Sequence, residues 1–183
     1  MKVLETDRLI LRRLSTDDAE FVLDLLNQPS FLRFIGDRGI RTVEDARQFI
    51  RNGPMASYER FGFGLYLVEL KDSAEPIGIC GLLNRDGLED VDIGFALLPQ
   101  FWSRGYAFEA ASAVMDYGRR TLGVDRIVAI ASPDNDRSFK LLERLGLRFE
   151  RLIRLSEGQP EIKLFTPDEG ATARSFRPPA EDP

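Results

Sequence analysis

Apolar positions along this chain follow two spacings, and the points where one gives way to the other mark its elements. Leu9-Ile10-Leu11-Arg12 follows a polar Thr6-Asp7-Arg8 and predicts a short first strand. Ala19, Val22, Leu25 and Leu26 then recur at helical spacing, behind Ser15 and Asp18 in capping-box register. Thr42 and Asp45 repeat that register ahead of Val43, Ala46, Phe49 and Ile50, which share one helical face. The period shortens again at 64–70 and 76–82. These two runs are separated by Lys71-Asp72-Ser73-Ala74-Glu75 and predict a hairpin.

Residues 91–98 predict a strand that sets Val91, Ile93 and Phe95 against Asp92, Gly94 and Ala96. A loop that starts at Pro99 opens into a helix over 105–121. Its stripe of Ala107, Ala110, Ala111, Val114, Met115 and Gly118 lies opposite Glu109, Asp116 and Arg119. Residues 126–131 read as a buried strand and 138–145 as a helix stopped at Gly146. The runs 147–155 and 161–165 pair around Glu157-Gly158-Gln159-Pro160. The order gives a mixed α/β domain over 1–167, with a parallel crossover at the strand–helix–strand unit 91–131. From Pro167 the chain turns to Pro, Glu, Ala and Arg, and 168–183 is expected to be a disordered tail.

Composition changes this picture little, since 43% hydrophobic and 30% charged residues are ordinary for a globular chain of 183 residues. Charge changes it more. A formal net charge of -5 argues against general nucleic-acid binding and tolerates a cationic acceptor such as an amine. Cys80 is the only cysteine, so no internal disulfide forms, and no spacing resembles a metal-ligand cluster. No apolar run is long enough to span a bilayer and the N-terminus carries no apolar leader, so a cytoplasmic setting is expected. The chain has no histidine, which removes the usual near-neutral acid–base group and every Ser-His or Cys-His nucleophile scheme.

Candidate chemistry gathers at the ends of the strands at 91–98 and 126–131. The loop Trp102-Ser103-Arg104-Gly105-Tyr106-Ala107 enters a helix N-terminus, where unpaired N–H groups and partial positive charge can hold an anion, here a pyrophosphate. The same loop also fits a plain strand-to-helix connection. It has neither the Gly-Lys-Ser/Thr ending of a Walker A loop nor the three spaced glycines of a dinucleotide fingerprint. Asn135 or Asp136 is placed to cap the last helix. The Asn135 amide and the Ser138 hydroxyl are also placed to meet an amide-bearing ligand arm. Asp86, Glu89 and Asp90 read as a solvated turn, whereas alternation sets Asp92 apart as a candidate base. Cys80 reads as a small core residue. Phe31, Phe34, Ile35, Phe61 and Phe63 are either core or the acceptor-side wall.

These pieces together resemble the GNAT acetyltransferases. The resemblance is carried by Pro76-Ile77-Gly78, Ile93-Gly94-Phe95, the run from Trp102 to Ala110, Asn135-Asp136-Arg137-Ser138 and Leu142-Glu143-Arg144-Leu145-Gly146-Leu147-Arg148-Phe149. Within that superfamily, the opening Glu5-Thr6-Asp7-Arg8-Leu9-Ile10-Leu11-Arg12 is similar to the RimJ/RimL branch, which acetylates protein N-terminal amines among other acceptors. The resemblance spans roughly 4–166. It implies a mostly antiparallel twisted sheet with one parallel, splayed strand pair and helices on both faces, and acetyl-CoA lying in the splay as co-substrate. It further implies that the backbone of Phe95, Ala96 and Leu97 pairs with the pantetheine arm. The Phe95 N–H then serves as donor to the thioester oxygen, residues 102–107 hold the pyrophosphate, and Arg104 meets a phosphate. Asn135 and Ser138 touch the pantetheine. Trp102 stands where the family usually has Gln or Arg, Ser103 where this branch often has Gly, and Asp92 near a position where it often has Glu. The family's frequent C-terminal tyrosine acid is missing.

Proton arithmetic bears on the acceptor. Neutralising an α-amine at pH 7 costs only about 1–1.4 kcal/mol, against about 4–5 kcal/mol for a lysine. The expectation is therefore transfer of acetyl to an N-terminal or other low-pKa amine by direct attack through a tetrahedral intermediate, without an enzyme nucleophile. Two alternatives stay open: a catalytically impaired CoA-binding regulatory domain, and a nucleotide-binding module without acyl chemistry. The C-terminal strand pair is a candidate homodimer interface.

Overall fold

Eight strands build one sheet: β1 (Lys2–Glu5), β2 (Leu9–Arg13), β3 (Leu65–Leu70), β4 (Pro76–Leu83), β5 (Val91–Leu97), β6 (Ile127–Ala131), β7 (Leu147–Ile153) and β8 (Ile162–Pro167). Their order across the sheet is β1-β2-β3-β4-β5-β6-β8-β7 in the computed structural model, which describes residues 1–168. Every neighbouring pair is antiparallel except β5 and β6. The helices are α1 (Ala19–Leu26), α2 (Pro29–Phe34), α3 (Val43–Ile50), α4 (Ala56–Phe61), α5 (Tyr106–Arg120) and α6 (Asp136–Arg144). The mixed α/β architecture with a single parallel pair is therefore the one the sequence implies. The expected disordered tail, from residue 169 onward, lies outside the described residues.

The helix caps form as their spacing predicts. Thr42 Oγ1 accepts the Asp45 amide at 3.1 Å while Asp45 accepts the Thr42 amide at 2.9 Å, and Ser15 N donates to Asp18 at 2.8 Å. Beyond α3 the chain does not stop. It continues through a π-helical turn, Arg51–Met55, into α4, because Pro54 lacks the N–H that a regular turn needs. The strand β1 was not apparent in the sequence. It pairs with β2 at the sheet margin and is half exposed, so it carries no clean alternation.

β4 shows how the sheet is covered. Ile77 to Leu82 are all buried, so both faces of this strand lie under other elements. Gly118 of α5 packs on one of them, where an added Cβ would come within 2.7 Å of Leu82 Cδ1.

The feature that positions the site is where the sheet comes apart. β5 and β6 share only the register pairs Val91↔Ile127 and Asp92↔Val128, and β6 then continues against β8. An ion pair from Arg126 to Asp90, at 2.9 Å, ties the joint just below. Asp90, expected as part of a solvated turn, is thus engaged, whereas Asp86 and Glu89 are exposed. Above the joint, one edge of β5 faces open space. Leu98 N donates to Ile77 O at 2.9 Å, and this fixes the alternation of the β4–β5 ladder. Residues 94 and 96 turn their amides and carbonyls to β4, while Phe95 and Leu97 turn theirs to the gap.

Candidate active site

A cavity of about 1230 Å³ fills the gap between β5 and β6. It runs from the loop before α5 to the segments around residues 35–38, 85–86 and 155–160. The expected site residues Asp92, Phe95, Ala96, Leu97, Trp102, Ser103, Gly105, Tyr106, Ala107, Asn135 and Ser138 all line it. Arg104 does not, because its guanidinium turns back over the Phe101 ring, 5.8 Å from the centroid.

Two of these residues take roles other than those the resemblance implies. The backbone of Ala96 is paired to Ile79 of β4, so Ala96 contributes a methyl wall and not a free amide. The Leu97 carbonyl faces the gap, but the Trp102 indole already donates to it at 2.8 Å. Phe95 is left with an amide and a carbonyl directed at the gap. Asn135 does cap α6, its Oδ1 accepting the Ser138 amide at 3.2 Å. The Asn135 amide nitrogen and the Ser138 hydroxyl remain available on the cavity wall.

The loop before α5 is held in an unusual backbone shape. Ser103 has φ 60° and Gly105 φ 84°, so two residues in three sit in the left-handed region and turn the chain into the first turn of α5. Arg8 and Thr6 of the N-terminal segment hold the loop from behind. The Arg8 Nη1 donates to the Arg104 carbonyl at 3.0 Å, and its guanidinium lies 4.5 Å from the Tyr106 ring centroid. The same residue engages Glu109 through its backbone amide at 2.9 Å and its Nε at 2.7 Å, and the Thr6 hydroxyl adds a bond at 2.6 Å. Burial pushes the Glu109 carboxyl up, but these donors outweigh it and hold its pKa below the ordinary value. The opening Thr-Asp-Arg motif is thus a brace on the loop.

Across the gap, α6 presents a basic face. Arg137 stacks on Trp102 at 5.0 Å from the ring centroid and Arg144 on Phe108 at 4.2 Å, and Lys140 lines the cavity between them. Their spacing of three and four residues was legible in the sequence as one helical face. With Arg104 turned away, these are the cations on the cavity side of the loop, Arg8 holding it from behind.

Asp92 is fully buried, and its carboxylate accepts both contacts of Arg85 Nε, at 2.9 and 3.0 Å. Burial raises its pKa from 3.8 to about 6, and the Arg85 charge and hydrogen bonds pull against that rise. Arg85 itself was not anticipated as a partner. Cys80 is buried with its thiol pKa pushed well up by desolvation, in keeping with a core role. Phe63 is core, Phe31 is buried and also touches the cavity, and Phe34 and Ile35 line it. Among the described residues no cluster of three metal-ligating side chains occurs, and no helix is long and apolar enough to cross a membrane.

Residues 8–148 match the sequence model of the acetyltransferase (GNAT) domain. The chain belongs to the GNAT acetyltransferase family. Its relatives include the uncharacterized N-acetyltransferase YoaA of Bacillus subtilis, 32% identical over 83% of this chain and 86% of that protein. Among solved structures, an acetyltransferase from Agrobacterium tumefaciens superposes with a TM-score of 0.76 at 27% identity, covering 91% of this chain and 93% of the other. The ribosomal L7/L12 α-N-protein acetyltransferase RimL, solved with coenzyme A, shares the fold at a TM-score of 0.72 and 14% identity, over 91% of this chain and 97% of that one. This GNAT chain is accordingly an acetyltransferase.

Proposed function

We propose that the protein transfers an acetyl group from acetyl-CoA to a primary amine. The observation that carries this reading is the unpaired edge of β5 above its two-residue joint with β6, next to a left-handed loop at a helix N-terminus. A pantetheine arm is an extended chain of amides, and the Phe95 amide and carbonyl, with the Leu97 amide, are the groups free to pair with it. The backbone N–H groups at 103–107 and the α6 cations Arg137 and Lys140 suit the pyrophosphate and phosphate of CoA. Asn135 and Ser138 offer further hydrogen bonds along the arm. Trp102 is read as a wall of the phosphate end, fixed by its bond to Leu97.

In this reading bound acetyl-CoA supplies the acyl group. The Phe95 N–H, directed into the gap, stabilises negative charge that develops on the acyl oxygen. Asp92, with its carboxyl raised to about 6, is ionised at neutral pH and accepts the proton lost by the amine, directly or through water. Arg85 holds that carboxylate in place. The acceptor class, an N-terminal or small-molecule amine, follows from the low cost of deprotonating such amines without a histidine.

Calorimetric titration with acetyl-CoA, CoA and ADP, followed by thiol release across a panel of amines, tests the proposal. Binding of the two pantetheine compounds over ADP, with release stimulated by at least one amine, is the expected result. Binding without release from any amine would instead favour a CoA-binding regulatory domain, a reading to which the Asp92–Arg85 pairing lends itself.

A further inference from the structure

The sheet ends in β7, so one side of that strand has no neighbouring strand among the described residues. Every residue from Arg148 to Leu152 is exposed, and Phe149 and Leu152 keep 52% and 47% of their surface in solvent. An edge strand that displays two large apolar side chains is a template for another chain. Simple alternation would put these two on opposite faces. They share one because the register shifts between Phe149 and Arg151 and leaves Glu150 as an extra residue. Phe149 stands opposite Phe165 and Leu152 opposite Lys163, two positions apart on β8 and so on the same side. The Phe149 ring meets Phe165 edge-on at 6.1 Å between centroids, and the Lys163 ammonium lies 5.6 Å from its centre, yet neither covers it. Arg151 stands opposite Leu164 and so belongs to the other face, where it bonds the Glu150 carboxylate at 3.2 Å.

The opposite margin of the sheet offers β7 no match. Val3 and Leu4 of β1 pack against the core, and Lys2 and Glu5 pair with each other. We infer that β7 docks on β7 of a second copy of this chain, antiparallel about a twofold axis between Glu150 and Arg151. That alignment is its own complement. It sets Phe149 against Leu152 of the second copy on one face, and Glu150 against Arg151 of the second copy on the other, each contact made twice. The remaining cations, Arg148 and Arg154, fall opposite Ile153 and Leu147 of the second copy, so no like charges stand directly across. Sliding one strand by a single residue brings Glu150 onto Glu150 or Arg151 onto Arg151. The charges that blunt an edge strand against unrelated partners therefore admit this one register. The contact uses the same patch on both copies and closes at two.

Sedimentation velocity of the full chain over about a hundredfold range of concentration tests this, and a concentration-dependent dimer is expected. Glu150→Arg alone, or Arg151→Glu alone, sets like charges across the axis at both symmetry-related sites and should weaken the dimer about tenfold. Mixing the two single variants restores opposite charges at both sites, so a heterodimer of about the parent's strength should form. The double variant Glu150→Arg/Arg151→Glu should self-associate in the same way. Leu152→Ser should also weaken association. All of these side chains are exposed, and circular dichroism should show the parent fold in each variant. A monomer throughout the range overturns the inference. So does a dimer indifferent to the single variants, which places the interface elsewhere, or a pair of single variants that stays monomeric on mixing. None of these outcomes touches the transferase reading.

Discussion

At Asp92 burial and ion pairing oppose one another, and pH reads out the balance. A carboxyl whose folded pKa of about 6 exceeds its ordinary 3.8 binds more protons folded than unfolded between those values. Its contribution to stability therefore falls as pH rises from about 4 to 6 and is level above. The ionised form that can accept a proton appears over the same interval. In the wild type, kcat/KM should rise with pH through an apparent value near 6, before the acceptor amine's own titration. Asp92→Asn should abolish that limb and lower the rate by about 10²-fold or more; an unchanged pH–rate profile removes Asp92 from the mechanism. In the loop before α5, a Cβ at Gly105 meets both a left-handed backbone, at φ 84°, and Arg8 Nη2 at 3.2 Å. Gly105→Ala should cost about 1–2 kcal/mol, seen in titration calorimetry as roughly tenfold weaker acetyl-CoA binding. Ser103→Gly relieves the other strained position, at φ 60°, and should bind acetyl-CoA at least as well as the parent.

The helices show what their ends are for. α5 begins at a loop that its own Glu109 holds through Thr6 and Arg8, so the N-terminal segment is tied directly to that turn. Glu109→Gln replaces a charge-assisted set of bonds with neutral ones. It should cost about 1–3 kcal/mol and lower Tm by several degrees, and it should raise the KM for acetyl-CoA more than it lowers kcat. Because the Glu109 carboxyl is held low, its contribution is present above the ordinary carboxylate range and lost as pH falls through its folded value. α6 depends on the Asn135 cap, and Asn135→Ala should cost about 0.5–2 kcal/mol in thermal unfolding. Caps, hairpins and the α5 stripe were legible because each depends on neighbours within a few residues. β1, the turn at Pro54 that extends α3 into α4, and the Thr6–Arg8–Glu109 brace were not. They depend on partners that the fold alone brings near, Glu109 lying about a hundred residues from Arg8.

For the whole molecule, the topology could be read in outline because strand and helix patterns alternate cleanly from 64 onward, and the parallel crossover follows from the strand–helix–strand order. The backbone of the site was legible to a similar degree: Phe95, the loop and Asn135 line one cavity. The side-chain electrostatics were not. Alternation singled out Asp92 but could not reveal that Arg85 lies on it or that Arg104 turns to Phe101. Both facts depend on how loop side chains turn, which periodicity does not encode.

The two-rung joint between β5 and β6 makes the sheet a pair of plates, β1 to β5 on one side and β6, β8 and β7 on the other. A molecule hydrogen-bonded along the open edge acts as extra rungs and stiffens the seam. The plate that offers it only side chains should feel this as strongly as the plate that offers it backbone. Hydrogen exchange in β6 and β8 should slow when acetyl-CoA is present, although those amides already bond within their own plate, and the cleft would then serve as the molecule's keel.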